Sequence, residues 1–207
     1  MSPKSNNTDE FSGNSVDLNP FKQFMKWLGE RPGTVQEEKF VAALGTASKE
    51  GRVSVREVLV REIDDDGFIF FTNYKSRKAR QIDDNPFGAL LFYWPEMYRQ
   101  VRIEGRIRKV TAERSSGYFN SRPRSNQISA WVSEQSQTIP DRHFLETRFS
   151  YFMDKFSNMP VPKPPEWGGY KLFPQWFEFW QGRADRLHDR IMYSASGDDW
   201  IISRLAP

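Results

Sequence analysis

Residues 176–193 read Trp176-Phe177-Glu178-Phe179-Trp180, then Gln181-Gly182-Arg183-Ala184-Asp185-Arg186-Leu187-His188-Asp189-Arg190, then Ile191-Met192-Tyr193. Aromatic and β-branched side chains dominate both flanks and suit a pleated, half-buried surface, so both flanks are expected as strands. Gly182 and the polar residues after it turn the chain between them. If residues 186–192 are extended, side chains alternate between faces. Arg186, His188 and Arg190 then project from one face, and Leu187 and Asp189 from the other. Three cationic or protonatable groups on one face repel each other unless an anion lies between them. The competing reading is a solvated surface strand with Asp189 as counter-charge.

Outward from this stretch the same strand signals recur. Val41–Ala47, Val53–Ile63 and Phe68–Thr72 are expected strands, the last two forming a hairpin over Asp64-Asp65-Asp66-Gly67. Phe87–Trp94 and Tyr98–Val110 follow, separated by a turn at Pro95-Glu96. From Trp167 the chain returns to strands, the last at Trp200–Leu205. Helices are expected from Asn19-Pro20 onward, with Phe21, Phe24, Met25 and Leu28 at helical spacing, and over Ser76–Asp84, Ala112–Asn120, 127–132 and Asp141–Phe156. Residues 159–165 form a proline-rich rigid connector. Residues 1–18 are polar and lack periodicity, so a disordered tail is expected there. No internal repeat is visible. Antiparallel-type strands with helices inserted between them point to one α+β unit over residues 19–207, mainly β, built as a barrel with helical additions.

A chain of 207 residues is enough for one domain with a sizeable core. Seven Trp and seventeen Phe supply large rings for that core and for pocket walls. The net charge is +3, and the basic residues are scattered in pairs, which favours discrete anion sites over a nucleic-acid stripe. The absence of Cys excludes disulfides and thiolate chemistry. Two His without carboxylate motifs argue against a metal centre. No apolar run reaches membrane-spanning length and no signal peptide is visible, so a soluble cytoplasmic protein is expected.

Three local features concern anions. Ser76 is a natural N-cap, which places Arg77 and Lys78 in a first helical turn, where the macrodipole disfavours cations unless an anion binds there. The alternative is two solvated basic residues. Arg56 and Arg61 bracket a β-branched strand at odd separation and so face opposite sides, with Glu57 as a local carboxylate. Tyr118 and Arg122 share a helix face and can approach a phosphate from two directions, with Arg124 and Asn126 in reach. A surface helix end with a cation favoured by the dipole explains that pair equally well. Gln100, Gln135 and Ser136 suit hydrogen bonding to a heteroaromatic edge. No catalytic triad order, P-loop or GxGxxG motif is present. Several anion sites, many aromatics and no evident nucleophile suggest chemistry supplied by a phosphorylated cofactor.

The stretches FFTNYKSRKARQIDDNP, RQVRIEG, YFNSRPRSNQISAWVSEQS, WGGY, EFWQGRADRLHDR and RLAP cover most of the chain from residue 20 onward. In these the chain resembles the pyridoxine (pyridoxamine) 5′-phosphate oxidase family. The resemblance implies a split-barrel FMN-binding fold and a homodimer with FMN at the subunit interface. It implies oxidation of pyridoxine 5′-phosphate or pyridoxamine 5′-phosphate by O2 to pyridoxal 5′-phosphate, with H2O2 released. FMN would be held by Arg56, Leu59, Arg61, Phe71, Thr72, Ser76, Arg77, Lys78, Gln100, Gln135, Ser136, Trp180 and Arg190. Substrate would meet Arg61, Tyr118, Arg122 and Asn126 at its phosphate. Arg186 and His188, the implied catalytic pair, would lie over its ring. The chain departs from the family pattern at Arg61, where Lys is usual, and at Asn126, where Ser is usual. It departs also at Phe71, where Tyr is also found, and at Glu57, which replaces an apolar residue. The alternatives are a split-barrel flavoprotein acting on another ring substrate or without oxidase activity, and a basic nucleic-acid-binding module.

Overall fold

The computed structural model describes residue 11, residues 16–32 and residues 40–207. Most of the expected tail, residues 1–10 and 12–15, lies outside the described residues. Phe11 and Val16 pack against the core, and the Phe11 ring lies 4.8 Å from that of Trp27.

Eight strands form one antiparallel sheet: β1 (Val41–Ala47), β2 (Val53–Asp64), β3 (Gly67–Asn73), β4 (Phe87–Trp94), β5 (Arg99–Lys109), β6 (Trp167–Gln181), β7 (Asp189–Ser196) and β8 (Asp199–Arg204). Their order is β3-β2-β1-β4-β5-β6-β7-β8, and β3 also pairs with β6. That second pairing closes β1–β6 into a barrel and leaves β7 and β8 as an open extension from β6. The two partners divide β6 between them. β3 pairs with residues 167–172 and β7 with residues 176–181, while β5 runs alongside most of the strand. Pro174, which has no N–H to donate, lies where the partners change, beside a register shift in β5. The mainly-β α+β barrel read from the sequence is therefore the observed fold.

Among the described residues, five α-helices decorate the barrel: α1 (Pro20–Gly29), α2 (Arg77–Asp84), α3 (Ala112–Ser121), α4 (Arg124–Val132) and α5 (Arg142–Lys155). Asn19 caps α1 by accepting from Phe21 N and Lys22 N, and Pro20 supplies a first-turn residue with preset φ. This helix drives Phe24 into the barrel, 5.2 Å from Phe68 and 4.8 Å from Phe92, ring to ring. Each fully buried Phe of this kind contributes about 2 kcal/mol of transfer free energy. α4 begins three residues before the expected 127, directly after Pro123, which acts as a start and not as a stop.

A second apolar cluster lies outside the barrel. Phe119, Ile128, Val132, Phe152, Phe156, Val161 and Trp167 bind α3, α4, α5 and the proline-rich connector together. Phe71 and Tyr118 pack at its edge. The seam between barrel and helical lobe is where the cations of β2, α2 and α3 meet.

One expectation fails. Residues 186–188 are not extended: Ala184–Arg186 form a single 3-10 turn and β7 starts only at Asp189. Asp185 and Arg186 both adopt left-handed backbone, φ 56° and 60°. Strict alternation therefore does not set the directions of Arg186, His188 and Arg190.

Candidate active site

A cavity of about 500 Å³ opens at the seam. It is lined by Arg61, Phe71, Lys78, Tyr118, Arg122 and Gln135, among others. Thr72, Leu59, Glu57 and Asn126 also reach it. Each comes from a different local device. Ser76 caps α2 by accepting from Ala79 N, which places Lys78 in the first turn as the sequence indicates. Lys78 Nζ donates to Thr72 Oγ1 (3.1 Å) and Gln135 Oε1 (3.2 Å) and is almost fully buried. Burial, then the nearby Arg56 charge, pulls its ammonium down to about 8. Ser136 Oγ accepts from Arg77 N, tying the segment after α4 to the same helix start.

Arg56 and Arg61 of β2 point to different surroundings. Arg56 turns toward α2 and donates to Leu44 O (3.0 Å), Thr46 Oγ1 (2.7 Å) and Gln81 Oε1 (3.4 Å). Burial and then Arg77 lower its affinity for its proton. Arg61 is exposed and faces the cavity.

Across the cavity, three rings form a parallel wall. Phe71 stacks on Tyr118 with centroids 3.9 Å apart and on Trp167 at 5.5 Å. The wall needs close packing behind it: a Cβ on Gly169 would lie 2.8 Å from a Phe71 ring carbon. The Arg122 guanidinium sits over the Trp167 ring at 4.8 Å. Its Nη1 is buried and has no hydrogen-bond partner. Burial lowers its pKa, and Arg61 lowers it further. Beyond it, α4 has Pro123 at its N-cap and no side-chain cap bond, and Pro123 and Asn126 line the same cavity. Arg124 is turned away and donates to Met159 O and Phe156 O.

Ion pairing sets this cluster apart. Among the described residues, no carboxylate pairs with Arg56, Arg61, Arg77, Lys78 or Arg122. Glu57 pairs with none of them either. Of these cations, Lys78 is buried and Arg56 and Arg122 are half-buried, and such groups without counter-charges are costly unless an anion is supplied from outside. The donor set lining the cavity fits phosphate: the guanidinium groups of Arg61 and Arg122, the Lys78 ammonium, the Tyr118 phenol and the Thr72 hydroxyl.

The remaining sequence-derived residues form a second group at the far end of β6. Gln100, Trp180 and Arg190 lie in one row across β5, β6 and β7. The His188 ring lies 4.7 Å from that of Trp180, and His188 Nδ1 accepts from Arg183 N (3.1 Å). Arg190 Nε donates to Glu178 Oε1 (2.6 Å), whose other oxygen accepts from Arg102. Asp189 accepts from Arg183 and Arg204 and does not neutralise Arg186, His188 or Arg190. Arg186 is exposed at the turn. β6 has 15 residues and runs roughly 50 Å in contour between the two groups. One chain therefore does not bring Arg186 and His188 to the cavity. Sequence reasoning gave Trp167, Ser129 and Ser133 no role, although all three line the cavity. Trp167 was visible in the WGGY stretch; the serines carry no distinguishing signal.

Among the described residues, no group of three or more His, Cys, Asp or Glu side chains could hold a metal ion, and no helix is long and apolar enough to cross a membrane.

Comparison with known proteins bears on the same residues. Residues 34–154 match the family described as pyridoxamine 5′-phosphate oxidase, and residues 167–207 match the pyridoxine 5′-phosphate oxidase C-terminal dimerisation region. A pyridoxine/pyridoxamine 5′-phosphate oxidase of Paraburkholderia xenovorans (strain LB400) is 51% identical over 194 residues, 93% of this chain and 91% of that protein. One from Acaryochloris marina (strain MBIC 11017) is 45% identical over 192 residues, 93% of this chain and 88% of that protein. The crystal structure of PhzG from Burkholderia lata 383, in complex with tetrahydrophenazine-1-carboxylic acid, matches with a TM-score of 0.89 at 30% identity, covering 99% of this chain and 100% of that one. A pyridoxamine 5′-phosphate oxidase-related, FMN-binding protein from Nostoc punctiforme shares the fold, with a TM-score of 0.73 at 17% identity over 93% of this chain and 100% of that one. On the family match and on identity over nearly its whole length, the chain belongs to the pyridoxine/pyridoxamine 5′-phosphate oxidase family.

Proposed function

We propose that the chain oxidises pyridoxine 5′-phosphate or pyridoxamine 5′-phosphate at its 4′ carbon to pyridoxal 5′-phosphate, with FMN as cofactor and O2 as final acceptor. The observation that carries this reading is that Arg61, Lys78 and Arg122 line one cavity with no carboxylate partner among the described residues, with Arg56 and Arg77 close behind Lys78 and likewise unpaired with carboxylates. Two phosphorylated molecules, cofactor and substrate, supply the missing charge.

Arg56, Arg61, Ser76, Arg77 and Lys78 would hold the FMN phosphate, with Leu59, Phe71, Thr72, Gln135 and Ser136 along the flavin. Tyr118, Arg122 and Asn126 would hold the substrate phosphate from the α3–α4 side, with Arg61 opposite. When bound, the flavin supplies a two-electron acceptor that O2 restores with release of H2O2. The protein's part is orientation and charge neutralisation. The ring wall of Phe71, Tyr118 and Trp167 excludes water from one side of the cavity. The buried guanidinium of Arg122 meets an anion without reorganising.

Gln100, Trp180, Arg186, His188 and Arg190 would reach the cavity from a second copy of the chain. The match of residues 167–207 to a dimerisation region supports a homodimer. A shared site would reconcile the two separated groups of one chain.

The test is direct. Purified protein is expected to be yellow, to release FMN on denaturation, and to form pyridoxal 5′-phosphate and H2O2 from pyridoxine 5′-phosphate. A colourless protein that takes up no FMN would sink the proposal. The likeness to PhzG favours one other reading, a carboxylated tricyclic substrate. Turnover of a reduced phenazine carboxylate, with no turnover of either phosphorylated pyridine, would establish that reading instead.

A further inference from the structure

Arg61 and Arg122 line one cavity but stand on different elements, β2 and the end of α3. Without an anion they repel, and nothing in the barrel ladder joins their elements. Contacts outside the ladder therefore set their relative position.

The ladder between β2 and β3 skips a residue between Val60 and Glu62. Arg61 is the residue left over, and a bulge of this kind bends its strand and re-aims the side chain. Directly after it, Glu62 Oε2 accepts from Arg114 Nε (2.8 Å) and Nη2 (2.6 Å). The same Nη2 lies 3.1 Å from Asp64 Oδ2. Asp64 is anchored in turn to Lys171 of β6 at 2.7 Å. Arg114 lies in the first turn of α3, one turn before Tyr118 and two before Arg122, and Thr111 caps that turn by accepting from Arg114 N. Side chains of Arg114 and Glu62 are 37% and 34% exposed, so the pair adds little net stability. A planar guanidinium forked onto two carboxylates supplies direction instead.

We propose that Arg114 is a positioning residue for phosphate recognition: forked onto Glu62 and Asp64, it fixes α3 against the bulge so that Tyr118 and Arg122 face Arg61 across one anion. This rests on the reading of the cavity as the substrate-phosphate site. Arg114 itself does not line the cavity. It acts through the elements it joins, by keeping two repelling cations in place before the anion arrives.

The experiment uses the FMN-loaded protein carrying Arg114→Met, Arg114→Lys, Glu62→Gln or Arg122→Ala, and the Arg114→Met/Arg122→Ala double variant. Steady-state kinetics with pyridoxine 5′-phosphate and equilibrium titration with pyridoxal 5′-phosphate are the readouts. Arg114→Met is expected to raise KM about tenfold and weaken pyridoxal 5′-phosphate binding to match, with kcat within about twofold. Arg114→Lys should recover part of the loss. In the Arg122→Ala background, Arg114→Met should add less than about twofold, because both act on one contact. If Arg114→Met does not fold, Glu62→Gln decides, with about a threefold rise in KM expected. An unchanged KM in the folded variants, a fall in kcat alone, or fully multiplicative effects in the double variant overturns the clamp. An unchanged KM in Arg122→Ala overturns the phosphate reading of the cavity, and the clamp falls with it.

Discussion

The two ends of β6 carry similar numbers of cations and treat them in opposite ways. At the Trp167 end, Arg56, Arg61, Arg77, Lys78 and Arg122 have no carboxylate partners among the described residues. At the Gln181 end, Arg190 and Arg102 share the buried Glu178, and Arg183 and Arg204 share the buried Asp189. Internal carboxylates neutralise these four guanidinium groups at the second end, while Arg186, exposed at the turn, takes no part in either carboxylate cluster. Their absence makes the first end a site that is electrostatically incomplete by itself. The difference shows that neutralisation, more than the count of basic residues, separates a binding surface from a framework.

Substitutions at the two ends should therefore act on different quantities, stability at one and substrate binding at the other. Glu178→Ala would leave two guanidinium groups facing each other and is expected to lower unfolding free energy by about 3 kcal/mol, read by denaturant titration. Arg122→Ala should leave stability nearly unchanged but raise KM for pyridoxine 5′-phosphate about a hundredfold, since a charge-assisted phosphate contact is lost. A large stability loss in Arg122→Ala, with KM intact, would erase the distinction.

Lys78 sharpens it through pH. Its pKa, drawn down to about 8 by burial and Arg56, means the charged form that attracts an anion is lost as pH rises through that value. FMN affinity should fall above pH 8 by up to about tenfold per unit, and Lys78→Arg should flatten the profile because a guanidinium stays charged. Lys78→Met is expected to raise the stability of cofactor-free protein at pH 7 by on the order of 1 kcal/mol, because it removes an unpaired buried ammonium. A comparable loss would show that the Thr72 and Gln135 bonds outweigh the burial cost. The smallest effect concerns Asp64. Burial raises its pKa, but hydrogen bonding led by Lys171 outweighs this and holds it at about 2. A carboxyl depressed from the ordinary value of 3.8 stabilises the fold above about pH 4 and loses that contribution between about 4 and 2. Asp64→Asn should therefore make acid unfolding in that window shallower.

Most of the barrel was legible because its strands carry alternating or aromatic runs bounded by strong turns, as at Asp64-Asp65-Asp66-Gly67. The Ser76 cap and the two cations after it were legible for the same local reason. The stretch from Ala184 to His188 was not, because two non-glycine residues in left-handed backbone have no signature in the pattern. Nor was the pairing of charges. Asp189 lies beside Arg190 in sequence yet binds Arg183 and Arg204, a choice made by strand pairing and by the tight turn. The bulge at Arg61 depends on register with β3, which single-strand periodicity does not report.

Because β6 exchanges β3 for β7 as its neighbour near Pro174, it is the one strand among the described residues that belongs both to the closed barrel and to the open extension. Cutting the chain there would uncouple the two halves of the molecule, whereas new termini placed at Lys49-Glu50 or Gly197-Asp198 would spare every ladder. Circular permutants opened at those turns would keep the backbone continuous from one end of the strand to the other. Rearranged connectivity is thus expected to be tolerated at those turns and not within the strand that both clusters share.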